Sequence, residues 1–222
     1  MTKDEVRQKI LDVGIVPVVR AASAAQAVLA AESVTAGGIP IVEITMTVPG
    51  AIEVIGRLAG AMGGHVLIGA GTVLDAETAA RCLDIGAEFL VSPGFDPATV
   101  QLARSRGKLV MPGALTPTEV IAAYKAGADF VKIFPCGNVG GPAYIKSLKA
   151  ALPQIPMIPT GGVNQTTAAE FLRAGASALG IGGELVSRAE LEAGNGAALT
   201  AAARRYAAIV REVRLAGQTH VA

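Results

Sequence analysis

The chain of 222 residues has no tryptophan, two histidines, two cysteines and 4% aromatic residues. Each scarcity excludes something. His65 and His220 stand far apart with no His-rich spacing, so a zinc or non-haem iron centre lacks ligands and no metal is expected. Cys82 and Cys136 form no framework of paired spacings, which fits a reducing cytoplasm. No basic block occurs and the formal net charge is +1, so neither nucleic acid nor an anionic membrane surface is an expected partner. No apolar run approaches the length of a membrane span without glycine, proline or charge. The opening "MTKDEVRQKI" reads as a charged helix start, without the apolar core of a signal peptide.

What is present is apolar: 51% hydrophobic against 17% charged residues. That is ample for a core, and a subunit interface is a natural home for the excess. One phrase recurs along the chain, as "AGGIPIVE" from Ala36, "IGAEFLVS" from Ile85, "AGADFVKI" from Ala126 and "AGASALGI" from Ala174. In each, a glycine can end a helix and a buried strand follows. Four further apolar runs lie between them, at 15–20, 65–69, 108–112 and 156–160, which predicts eight strands alternating with helices. Helix starts are written into the intervening segments. "TPTE" at 116–119 offers a cap, a proline at the first helical position and a reciprocal glutamate, "DPAT" at 96–99 repeats the order, and "SAAQ" at 23–26 is a weaker version. With no linker or composition break, the expectation is one α/β domain over residues 1–222, a (β/α)8 TIM barrel. It would carry an N-terminal helix over about 1–13 and a C-terminal helix over about 197–215.

Function in such a barrel gathers at the C-terminal ends of the strands. There, "GADFVKIFPCG" at 127–137 sets Lys132 among Phe130, Val131, Ile133 and Phe134 in a strand that reads as fully buried. A buried ammonium must be paired or lose its proton, and a desolvated neutral amine can attack a ketone. Glu43 has the same peculiarity in "IVEITMT", where alternation puts Ile41, Glu43 and Thr45 on one face and Val42 and Ile44 on the other. A structural Glu–Lys pair is one reading. The other is Schiff-base chemistry, in which the amine makes the imine and the acid moves protons.

Glycine pairs Gly161–Gly162 and Gly182–Gly183 follow the seventh and eighth strands, where barrels often bind phosphate through backbone amides. "IGAGTV" at 68–73 lacks the third glycine of a dinucleotide fingerprint and reads as a tight turn presenting Thr72. His65 falls at the opposite end of the barrel. Cys136, without a nearby histidine to activate it, reads as a packing residue.

Taken in order, "VPVVR", "VEITMTVP", "IGAGTVL", "VSPGF", "MPGALTPTE", "FVKIFP" and "PTGGVN" span most of the chain and resemble the class I 2-keto-3-deoxy-6-phosphogluconate (KDPG) aldolases, a family that includes 4-hydroxy-2-oxoglutarate (KHG) aldolases. The resemblance implies a homotrimeric (β/α)8 barrel that acts on a small 2-keto acid without a cofactor. It implies Lys132 as the Schiff-base residue and Glu43 as general acid/base through a bound water. Thr72 would hold the pyruvate part between Pro93 and Phe134, and Gly161, Gly162, Gly182 and Gly183 would surround the phosphate. Cleavage would give pyruvate and glyceraldehyde 3-phosphate. Two positions depart from the pattern. Many members carry arginine where this chain has Thr47, so Arg20 is the expected partner of the substrate carboxylate, with Thr47 beside it. Many carry serine where this chain has Glu184, which is expected to cap the following helix and face away. KHG or 2-keto-3-deoxy-6-phosphogalactonate cleavage by the same lysine is the neighbouring alternative. A barrel that binds a sugar phosphate without covalent catalysis is the alternative of another class.

Overall fold

The structure, a computed structural model, describes residues 1–218; His220 lies outside the described residues. The elements run α1 (Lys3–Val13), β1 (Ile15–Val19), α2 (Ala24–Ala36), β2 (Ile41–Thr45), α3 (Ala51–Met62), β3 (Leu67–Gly71), α4 (Ala76–Asp84), β4 (Phe89–Val91) and α5 (Pro97–Ser105). They continue with β5 (Leu109–Met111), β6 (Gly113–Ala114), α6 (Pro117–Ala126), β7 (Val131–Ile133), α7 (Pro142–Ala151), β8 (Met157–Pro159), α8 (Ala168–Arg173), β9 (Leu179–Ile181), α9 (Arg188–Glu192) and α10 (Gly196–Gln218). Among the described residues, no helix is long and apolar enough to cross a membrane.

Helices begin where their local chemistry says they should. Thr116 and Glu119 form a reciprocal capping box at α6, with Pro117 in its first turn. Asp96 caps α5 ahead of Pro97, and Ser23 caps α2 by accepting from the Gln26 amide. Such helical crossovers oblige successive strands to run parallel. The result is a curled six-stranded parallel sheet in the order β5-β4-β3-β2-β1-β9 and a three-stranded parallel sheet in the order β6-β7-β8. An isolated parallel bridge between Thr160 and Gly180 links β8 to β9. The expected fifth strand is divided, because Pro112, between β5 and β6, has no amide to donate to a ladder.

Alternation along the strands separates two apolar layers. Val42, Ile44, Val131 and Ile133 belong to the large layer packed under the helices. Val16, Ile41, Leu67, Phe89, Leu109, Phe130 and Ile158, drawn from both sheets, form a smaller inner cluster. Val6 and Ile10 of α1 join that inner cluster and are themselves buried. Removing two such side chains from water contributes about 1.5–3 kcal/mol each. α1 is held at its start by a capping box between Thr2 and Glu5.

Candidate active site

Glu43 and Lys132 stand two residues beyond Ile41 and Phe130 on the inner face of β2 and β7, toward the C-terminal ends of those strands. The inner layer changes there from apolar to ionisable. Lys132 is 4% exposed and Glu43 2%. The lysine Nζ lies 3.9 Å from Oε1 of Glu43, within Coulombic reach but too far for a hydrogen bond. Among the described residues, Oε1 receives no hydrogen bond at all. Burial pushes the Glu43 carboxyl above the ordinary glutamate range, against the downward pull of Lys132 and then Arg20. A buried carboxylate with an empty acceptor position is equipped to take a proton. The lysine Nζ also stands 5.3 Å from the centre of the Phe134 ring, so Phe134 flanks the amine.

Gly71 makes room for this pair. A Cβ at that position would lie 2.0 Å from Oε1 of Glu43, so no other residue fits without moving the carboxylate. Thr72 follows with φ +58°, the only non-glycine residue among those described in the left-handed region. A β-branched side chain pays a steric cost there, and strain of this kind concentrates at binding sites. The Thr45 hydroxyl donates to the Val19 carbonyl at 2.9 Å and meets the Thr47 hydroxyl at 2.6 Å. This ties the exposed Thr47 to the β1–β2 edge. The Pro93 turn lies across β6: a Cβ on Gly113 would stand 2.1 Å from the Pro93 carbonyl oxygen.

Arg20 is exposed at the end of β1. It lines a cleft of about 250 Å3 with Gln26, Thr47 and Arg188, and one guanidinium nitrogen stands 2.9 Å from where a Gly182 Cβ would be. Arg20 thus lies between Thr47 and the glycines after β9. Gly161 and Gly162 both take left-handed conformations, φ +87° and +76°, and Gly162 is packed against Gly137. Gly182 is half-buried and Gly183 exposed.

Glu184 does not open a helix. It sits in a turn, and α9 begins only at Arg188. Its charge, after burial, helps raise the phenol of Tyr206, which is pushed up to about 12. The nearest influence of Glu184 is therefore on α10. Cys136 and Cys82 are buried, and burial raises them to about 12 and about 11, so neither is a ready nucleophile. The His65 carbonyl accepts from Lys9 of α1, away from the catalytic pair.

Gly71 and Thr160 fall at strand ends that the sequence marks, but the contacts they make were not legible there. Gly71 looked like part of a turn, although its parity with Leu67 on β3 puts it on the inner face. Thr160 is buried with its hydroxyl against Gly180, where a Cβ would stand 2.1 Å away. Nothing in a lone threonine announces such a contact.

A family model described as KDPG and KHG aldolase matches residues 6–202. The chain is 34% identical over 199 residues to the 2-dehydro-3-deoxy-phosphogluconate aldolase of Treponema pallidum, covering 89% of this chain and 94% of the relative. It is 34% identical over 172 residues to the 2-dehydro-3-deoxy-6-phosphogalactonate aldolase of Escherichia coli K12, covering 77% and 83%. Among solved structures, KDPG aldolase from Legionella pneumophila, with pyruvate captured as a covalent carbinolamine intermediate, superposes with a TM-score of 0.83 at 26% identity, covering 89% of this chain and 96% of that one.

Proposed function

Because the chain belongs to the KDPG and KHG aldolase family, and is therefore a carbon–carbon lyase, we propose that it is a class I aldolase that cleaves 2-keto-3-deoxy-6-phosphogluconate through a Schiff base on Lys132. One observation carries the reading: among the described residues, the only buried lysine faces a carboxylate that is itself buried and lacks a hydrogen bond at Oε1. The Lys132 amine adds to the C2 ketone, and loss of water from the carbinolamine leaves an iminium. Glu43 supplies and removes the protons of these steps through a bound water. Removal of the C4 hydroxyl proton then breaks C3–C4. The electron pair passes into the iminium, leaving the pyruvate enamine and glyceraldehyde 3-phosphate. Protonation of the enamine at C3 and hydrolysis of the imine free pyruvate and Lys132.

In this reading Thr72 holds the pyruvate part and Pro93 and Phe134 wall it. Arg20, with Thr47 beside it, takes the substrate carboxylate. Gly161, Gly162, Gly182 and Gly183 offer amides to the phosphate, which can approach closely because no Cβ intervenes. The two sheets are taken as one closed (β/α)8 barrel forming a single domain, a reading supported by the Thr160–Gly180 bridge and by the Asp129 and Lys132 amides, which donate to the Val110 and Pro112 carbonyls across the break. A homotrimer would cover apolar surface such as Leu74, 64% exposed beside the half-buried Phe95.

Borohydride reduction in the presence of pyruvate tests the covalent step. One reduced adduct on the peptide containing Lys132 is expected, and Lys132→Ala should lose both adduct and turnover. An adduct on Lys108, Lys125 or Lys146, or none, would overturn the assignment and favour a barrel that binds sugar phosphate without covalent catalysis. A second reading keeps the lysine and changes the substrate, since relatives named for the gluconate compound, 32–35% identical, and for the galactonate compound, 34–36% identical, are about as similar. Comparing kcat/KM for KDPG, its galactonate epimer and KHG on one preparation decides it. A preference for KHG would refute the phosphate assignment.

A further inference from the structure

On the opposite face, where the strands begin, a cleft of about 550 Å3 lies between the end of α1, the turn joining α2 to β2, and α10. Its volume is within the range of small-molecule sites, roughly 300–1,000 Å3, and more than twice that of the cleft beside Arg20. α10 carries four arginines against one glutamate, in a chain whose formal net charge is only +1. Three of them, Arg204, Arg211 and Arg214, line the cleft at spacings of seven and three, which places them on one side of the helix. One carboxylate, Asp12, lines it with them.

A structural role accounts for one arginine of the three. The Arg214 guanidinium donates to the Leu11 and Asp12 carbonyls in the last turn of α1, where unpaired carbonyls and the negative helix end favour a cation. Arg204 and Arg211 are exposed and, among the described residues, have neither an ion pair nor a hydrogen bond. The lining beside them includes apolar surface from the half-buried Val13, Pro40 and Ala207. The rim at Gly38 is open, with nothing within 4 Å of where a Cβ would stand. An inorganic ion would use only the rim. A ligand with an anionic end and an apolar body would use rim and apolar lining together.

We propose that this cleft binds a small organic polyanion, a phosphorylated metabolite with an apolar portion, held by Arg204 and Arg211 over Val13 and Ala207. None of the residues assigned to the aldol reaction takes part, so the site stands or falls independently of that assignment.

Isothermal titration of the intact chain with magnesium-free ATP, inorganic triphosphate and adenosine as probes, at low salt, tests the proposal. ATP should bind, triphosphate at least about 3-fold more weakly, and the Arg204→Ala/Arg211→Ala variant should lose at least about 10-fold in ATP affinity, as for charge-assisted phosphate contacts. Lys132→Ala should bind ATP as the wild type does. Arg57→Ala/Arg81→Ala removes the same charge from α3 and α4 and should stay within about 2-fold of wild type, diffuse charge being screened by salt. An unchanged circular-dichroism spectrum and thermal transition report that each arginine variant is folded. Absence of ATP binding to the wild type, equal losses in the two double variants, or triphosphate binding as tightly as ATP would each overturn the proposal.

Discussion

Replacing Glu43 by glutamine separates the two meanings of a buried lysine beside a buried acid. At 3.9 Å and an effective dielectric of roughly 20, the gross attraction of the two charges is about 4 kcal/mol, before either is desolvated. No hydrogen bond adds to it, and burial outweighs the pull of Lys132 on the carboxyl, which ends above its ordinary range. The folded value thus exceeds the unfolded one. The stability contribution of Glu43 is full below the unfolded value and is lost as pH rises through the folded one. Glutamine cannot ionise and escapes that loss. Glu43→Gln should therefore be at least as stable as wild type in urea at pH 7.5, with the difference shrinking as the medium is acidified. Its kcat/KM should fall by roughly 10²–10⁴, the usual yield of an acid/base group, equivalent to about 2.7–5.4 kcal/mol. Equilibrium unfolding across pH and a coupled pyruvate assay measure both. A structural ion pair predicts the reverse: an uncompensated ammonium, a loss of roughly 3–5 kcal/mol, and turnover untouched. Either of those two results would refute the proton-transfer role.

Gly71→Ala drives a methyl group into the Glu43 carboxylate and should cut turnover by about 10²-fold, the effect of a roughly 1 Å misplacement, while pyruvate is still trapped on Lys132; full activity would mean that the carboxylate position does not matter. Thr72→Gly relieves a left-handed threonine worth about 1–2 kcal/mol, largely offset by glycine's own entropy, so stability should hold while KM rises; an unchanged KM would remove Thr72 from the substrate site. Arg20→Ala should weaken pyruvate binding in assays without the phosphorylated half; an effect confined to phosphorylated substrates would assign Arg20 to the phosphate instead.

Whatever depended on neighbours in the chain was legible beforehand. The capping box at Thr116–Glu119, the Asp96–Pro97 start and the parity that sends Glu43 inward while Val42 and Ile44 face the helices are all local, and all are present. Pro112 was visible in the fifth apolar run, but the ladder it divides depends on what β4 and β7 offer on either side. Contacts between distant segments left little trace. Gly71 against Glu43 and Thr160 against Gly180 each need two strands placed in register. The expected helical position of Glu184 failed because the chain makes a further turn before α9, with Leu185 and Val186 donating to the Gly182 carbonyl. The convergence of the α10 arginines on one cleft likewise needs α1 and the α2–β2 turn set beside them.

The placement of Val6 and Ile10 in the inner cluster also bears on where protons and water can pass. With Ile41, Leu67, Phe89 and Phe130, these two buried side chains fill the inner layer with apolar surface on the side of Glu43 and Lys132 where the strands begin. In the proposed aldol reaction, the protons exchanged by Glu43 and the water lost and regained at the imine would pass on the side where the strands end, as the substrate does. A substrate filling that side would shield the proposed enamine from bulk solvent. Its protonation would then fall to one carboxyl group and whatever water was enclosed with it.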